Sequence, residues 1–254
     1  MSSTLIAITV FLCVFGSALA GLFVRARLPG HHLKEDTKDI VKLAIGVIAT
    51  MTALVLGLLV SSAKNSFDRT SDDLTRMAVR IIELDRTLAN YGPEAADTRT
   101  AVLQTFSAGA DAIFAHDRKR LAEFDSPESA SRVEYLPRRL RVLAPRDDVQ
   151  RELKAQAIAL SNDLAHMRWT IILHNESSVS LTLLGVVVVW LALIFAGLGL
   201  FSPRNGTLVV ALLLCALCVS GAIFLILEMD NPLTGIVRVS DAPMRAALAH
   251  LGRQ

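Results

Sequence analysis

Cysteine, tryptophan and tyrosine are scarce in this chain, at three, two and two of 254 residues. All three cysteines, Cys13, Cys215 and Cys218, fall inside apolar runs, where a thiol is a small packing group. Cys215-Ala-Leu-Cys218 has the spacing of a redox pair but lacks the electropositive surroundings that activate a thiolate. A large excess of charge of one sign is missing too. The 26 basic and 24 acidic residues nearly cancel, which argues against a nucleic-acid partner that needs a basic face. No nucleophile elbow, phosphate loop or zinc-helix motif occurs, and no carboxylate or histidine pair stands at catalytic spacing in an apolar setting. These absences argue against an enzyme and call for no cofactor. No internal repeat of the alternating-access kind is visible.

What the chain has instead is segregation: 52% of residues are hydrophobic, the mean hydropathy is +0.47, and yet 20% are charged. A window of about 19 residues finds four apolar spans, Leu5 to Val24, Val41 to Ser62, Val179 to Phe201 and Thr207 to Leu227, none charged in its central part. The charges collect between Lys64 and Glu176. The expected layout is all-α: four transmembrane helices with an extramembrane helical domain inserted between the second and third. By residue, 1–63 holds two membrane helices and a short histidine-containing loop, and 64–178 the helical domain. Residues 179–228 make a membrane hairpin, and 229–254 a tail with a short amphipathic helix. Ala18-Leu19-Ala20 resembles a signal-peptidase site, but Met1 to Thr4 carry no positive charge and the apolar run continues to Val24, so the span reads as retained. Ser17 and Gly21 form a small-x-x-x-small pair in it.

The stretch from Val41 to Leu88 organises the rest. In its first half Gly46, Thr50, Ala53, Gly57 and Ser61 recur at four-three-four-four spacing, one stripe of small or hydroxyl-bearing positions down the span. Such a stripe lets neighbouring helices pack closely, or faces water in a narrow pore. Lys42 and Lys64 near its ends either put positive charge at the pore mouths or snorkel to headgroups. In its second half Leu74, Met77, Ile81, Leu84 and Leu88 follow three-four-three-four spacing, a heptad seam, so the membrane helix is expected to run on into a soluble stalk. Thr70 to Asp73 is the only local hint of a break.

Beyond the stalk, Gly92-Pro93 stops one helix and starts another, expected from about Pro93 to Leu121 with Val102, Phe106, Gly109 and Ile113 on one face. Phe124 to Asp147, with Pro127, Pro137 and Pro145 and the cluster Arg138, Arg139 and Arg141, reads as an irregular surface excursion. A third helix carries Leu153, Leu160, Leu164, Met167 and Ile171, giving about three antiparallel helices, complete alone or as half of a larger bundle. In the loop between the first two spans, His31 and His32 beside carboxylates are candidates for binding a metal or sensing pH, or sit at headgroup level. Ala192 with Ala196, and Ala216 with Ser220, are close-packing points in the hairpin. In the tail, Pro232 and Gly235 stop and turn the chain, and Ser240 or Asp241 caps a last helix opened by Pro243. Glu228 and Asp230 either form a ring of carboxylates in an oligomer or cap and pair locally.

Leu28-Pro29-Gly30-His31-His32-Leu33, the lysine-led span with Leu54-Val55-Leu56-Gly57, Leu84-Asp85-Arg86-Thr87-Leu88 followed by Tyr91-Gly92-Pro93, and the tail from Glu228 to Pro243 together resemble the bacterial membrane proteins grouped as DUF4239, the bestrophin-like domain. The sequence departs in the tail, where Leu233 replaces an expected Phe and Asp241 an expected Ser. The resemblance implies kinship with bestrophins, homopentameric anion channels lined by the second membrane helix, and a place in a bacterial inner membrane. The expected function is therefore a homo-oligomeric ion channel with the stripe as its wall, its partners being the bilayer, copies of itself and a permeant inorganic ion. The alternative is a non-conducting sensor or scaffold whose helical domain binds a partner. Basic residues in the short loops, Arg25, Arg27, Lys34, Lys38, Lys42 and Arg204, place the helical domain outside by the positive-inside rule. The bestrophin analogy places it inside.

Overall fold

The structure is a computed structural model that describes residues 3–27, 35–114, 126–174, 180–202 and 205–251. These residues form helices and no strands. In chain order they are α1 (Ser3–Arg27), α2 (Glu35–Tyr91), a single 3₁₀ turn (Pro93–Ala95), α3 (Ala96–Phe114), α4 (Pro127–Val142), α5 (Asp148–His174), α6 (Leu181–Phe201), α7 (Gly206–Met229) and α8 (Ala242–His250). Four of them, α1, α2, α6 and α7, are long and apolar enough to cross a membrane. The chain divides into two compact units, Met1–Asn65 with Ser177–Asp230, and Ser66–Glu176 with Asn231–Gln254.

In the first unit α1 packs against both α6 and α7. The core is Val10, Val14 and Ala18 of α1 with Leu184, Val187, Leu191 and Phe195 of α6 and Leu212, Ala216 and Ile223 of α7, and α2 adds Leu59 and Ala63. Between helices this apolar, hydrophobicity gives little preference for helix over lipid, so close approach decides who pairs. The approach is tightest where Gly21 meets the backbone of Ala196 and Leu200, and Gly199 meets that of Ala18 and Leu22. The contact pair on α1 is thus Ala18 with Gly21. Ser17 is half-buried and its hydroxyl donates to the Val14 carbonyl at 2.7 Å. Ala216 and Ser220 are buried as well. At the end of α6 the Arg25 guanidinium donates to the Ser202 carbonyl.

α2 continues without interruption for 57 residues. The Thr70 hydroxyl donates to the Ser66 carbonyl at 3.1 Å, inside the helix, so the capping pattern at Thr70 to Asp73 does not break it. In the second unit the seam Leu74, Met77, Ile81, Leu84 and Leu88 is buried throughout, facing Val102, Phe106, Ala110 and Ile113 of α3 and Leu160, Leu164 and Ile171 of α5. Gly109 is only half-buried, and Ala110 takes the core position beside Phe106.

The expected irregular excursion is corrected by the structure: residues 127–142 are helical and send Leu136 and Leu140 into this core. Pro137 withdraws one backbone donor from α4, but a four-turn helix docked through two leucines survives that loss. Lys154 of α5 takes over its C-terminal end, donating to the carbonyls of Arg141 and Leu143 at 2.7 Å each. Among the described residues α4 thus joins α2, α3 and α5 in the bundle, and Leu233, Val239, Met244 and Leu251 of the tail complete its core.

The α2 to α5 corner is held by one side chain. The Asp147 carboxylate accepts from the Gln150 amide at 2.7 Å, capping α5. The Gln150 side chain in turn accepts from the Arg146 amide at 2.8 Å and donates to the Tyr91 carbonyl at 2.9 Å, the last of α2. Gly92 next to it has φ 121° and ψ −177°, a conformation open essentially to glycine alone. From there Pro93 starts the reversal into α3, and Glu94 pairs with Arg146 at 2.7 Å. Below the corner Arg99 grips Asp85 with two bonds of 2.8 and 2.9 Å, and these bonds hold the guanidinium pKa above its ordinary value although burial alone would lower it.

Candidate functional site

The apolar half of α2 has three sides. One, marked by Thr52, Leu59 and Ala63, is buried in the first unit, and Ile45 on the same side lies against Gly197 of α6. A second presents Leu43, Val47, Met51, Leu54 and Leu58 to the outside, with Leu54 68% exposed. Large branched and linear side chains left bare in a row are the surface a bilayer solvates. The third side carries all five stripe residues, Gly46, Thr50, Ala53, Gly57 and Ser61, and all are exposed. Among the described residues no neighbouring atom comes within 4 Å of a Cβ built at Gly46 or Gly57. Within one chain the stripe is therefore not the surface that packs the four membrane helices together; α1 and α6 use Gly21 and Gly199 for that.

The chemistry of this side is weakly polar. The Thr50 hydroxyl donates to the Val47 carbonyl at 2.8 Å, so its proton stays on the helix and its oxygen faces outward as an acceptor. Continuing the same three- and four-residue steps in both directions reaches Asp39 and Lys42 at one end and Lys64 and Asp68 at the other, and each of these is exposed. Lys42 donates to the Asp39 carboxylate at 3.1 Å. The lysine at this end thus stands beside an acid of the same face, so it adds less net positive charge than the sequence alone suggested. Signs alternate within a helical turn at either end.

The remaining candidates lie elsewhere. Glu228 and Asp230 are buried, at 5% and 3% exposure, where α7 ends. The Asp230 amide closes that helix on the Ile226 carbonyl at 3.1 Å. In the tail, the Thr234 and Gly235 amides both turn back onto the Asn231 carbonyl, at 3.3 and 2.9 Å, and the Val239 amide onto that of Pro232 at 3.2 Å. The Ser240 hydroxyl accepts from the Ala242 amide at 3.2 Å, Asp241 sits at the N-cap of α8, and Pro243 is in its first turn. Pro232, Gly235, Ser240 and Pro243 thus build a turn and a helix start that seat Leu233 and Val239. His31 and His32 lie outside the described residues. Among the described residues no cluster of three or more histidine, cysteine or carboxylate side chains is placed to hold a metal ion.

Sequence reasoning found the stripe but not the flanking acids that continue it. Their signal was available, since Asp39 and Asp68 stand three before Lys42 and four after Lys64 on the same helix. A family model described as bestrophin-like domain matches residues 12–244 of the chain. Neither the curated proteins nor the solved structures contain a match to it.

Proposed function

The chain belongs to the bestrophin-like domain family, a multi-pass membrane protein by its four apolar helices, and on that footing we propose that copies of it assemble into an ion-conducting pore walled by α2. The observation that carries the reading is the split of α2 into a side sunk in its own unit, a side of bare leucine, valine and methionine, and an exposed side of glycine, threonine, alanine and serine that no described residue covers. Lipid suits the second side. The third suits water and a passing ion, because hydroxyl oxygens and small side chains leave room for a partly hydrated ion and offer it dipoles. One chain supplies only one wall, so conduction requires a ring of copies; five is the number the bestrophin analogy suggests.

The permeant species is a small inorganic ion. Paired signs at the ends of the stripe favour weak discrimination by charge and stronger discrimination by size. The location is a bacterial inner membrane with the helical domain outside, on the loop charges. A sensor or scaffold role keeps one supporting observation: α2 is a single helix from apolar span to soluble seam, suited to relaying motion.

Purified protein in liposomes decides between them. Ion flux should appear with the wild-type chain and fall to the level of empty vesicles with Thr50→Trp, which fills the stripe without touching the buried side of α2. Flux absent from the wild type would leave the sensor reading. Reversal potentials in asymmetric NaCl, repeated with Lys64→Gln and Glu228→Gln, report selectivity and which end charges set it.

A further inference from the structure

Resting on the pore reading, we propose that the ion admitted along the α2 stripe is a small monovalent cation, and that the Thr50 hydroxyl oxygen is the side-chain group that favours it. Paired signs at the two ends leave the choice of sign to the span between them. A permeant ion gives up part of its water only for groups that replace it. An anion needs hydrogen-bond donors or positive charge, and a cation needs oxygen lone pairs.

The span offers oxygens. Near its middle the Thr50 hydroxyl spends its only proton on the Val47 carbonyl at 2.8 Å, which leaves lone pairs and no donor on its outer side. Thr50 is exposed, so those lone pairs are open to whatever fills the stripe. Gly46 and Gly57, one turn before it and two turns after, leave the helix backbone uncovered, and among the described residues no atom approaches the place of their missing side chains. An α-helix commits its amide hydrogens to its own carbonyls, whereas each carbonyl oxygen keeps a second lone pair. Bare helix backbone is therefore a surface of acceptors.

Donors are scarce on the same side. Gly46, Ala53 and Gly57 carry no polar side-chain atom. Ser61, at the rim, has both a donor and acceptors to give and favours neither sign. At the opposite rim Lys42 already donates to the Asp39 carboxylate at 3.1 Å, and Lys64 has Asp68 one turn away on its own face. From Gly46 to Gly57, about 16 Å of helix, an anion would thus meet neither a side-chain donor nor a positive charge on this face. No carboxylate stands in that length either. A divalent cation, which holds its water tightly, asks for charged oxygens, and a monovalent one is satisfied by hydroxyl and carbonyl dipoles.

The full chain in planar bilayers under a NaCl gradient tests this. Wild-type current should reverse on the sodium side of zero. Thr50→Val, which keeps a similar shape and removes the oxygen, should move the reversal potential toward zero, while Thr50→Ser should hold it near the wild-type value. Wild-type current that reverses on the chloride side overturns the cation assignment and leaves the pore reading standing; absence of any wild-type current overturns both. Thr50→Val current that reverses as the wild type does overturns the role of the hydroxyl oxygen. Cation preference that survives Thr50→Val and disappears with Asp68→Asn overturns it too, because the rim and not the span would then choose the ion.

Discussion

Tyr91 sits in the core of the second unit with its hydroxyl meeting no hydrogen-bond partner among the described residues. Burial, and then the nearby Glu94 carboxylate, hold its pKa above the ordinary phenol value. Above about pH 10 the unfolded chain releases this proton before the folded chain does. Stability present below that pH is therefore lost as the pH rises through the folded-state value. Tyr91→Phe should flatten this alkaline loss and leave melting at neutral pH unchanged or raised, because an unpaired buried hydroxyl costs about 1–3 kcal/mol. Melting curves of both chains at pH 7 and pH 11 check it; a lowered melting temperature for the variant at pH 7 would mean the hydroxyl is satisfied. The opposite case is Arg99. Arg99→Ala strands the Asp85 carboxylate in a mostly buried site and should cost about 3 kcal/mol, whereas a loss under about 1 kcal/mol would show the pair behaving as an exposed one. Neither role was legible in the sequence, where Asp85, Tyr91 and Gly92 stood out as a motif but their partners Arg99 and Gln150 lie one and three helices away.

Among the elements, the long periodic ones were legible and the short mixed one was not. α2 and α5 announce themselves by apolar residues every three or four positions; the α2 seam is buried throughout, and α5 buries Leu160, Leu164 and Ile171 with Leu153 and Met167 half-buried beside them. α4 hides because Pro127 and Pro137 read as breakers and arginine dominates its composition; the only sign was Leu136 with Leu140, one helical turn apart. Its place in the core predicts that Leu140→Ala costs about 3 kcal/mol, measured by chemical or thermal unfolding, while an irregular surface segment would lose almost nothing. The contact between α1 and α6 was half legible. Small residues were flagged in both, and flagged Gly21 does meet flagged Ala196, but the second close approach, of Gly199 to Ala18, carried no pattern of its own. A Cβ at Gly199 would run into the Ala18 carbonyl, so Gly199→Ala should force the helices apart and cost about 1–3 kcal/mol, read as lowered melting in detergent.

For the whole molecule, the sequence displayed the candidate face but not what stands opposite it, since a pattern within one chain encodes which residues share a side and not which copy or solvent they meet. Under the proposed function, ion-filled water stands there. Cysteine scanning along α2 is the most direct measurement, made on a chain in which Cys13, Cys215 and Cys218 are replaced by serine or alanine and reconstituted in planar bilayers. Thr50→Cys, Ala53→Cys and Gly57→Cys should react with a membrane-impermeant thiol reagent and lose current as they do, while Met51→Cys, Leu54→Cys and Leu58→Cys should neither react nor change conductance. Current that survives modification at all three stripe positions, or labelling that follows the leucine side instead, would contradict a pore walled by this face of α2.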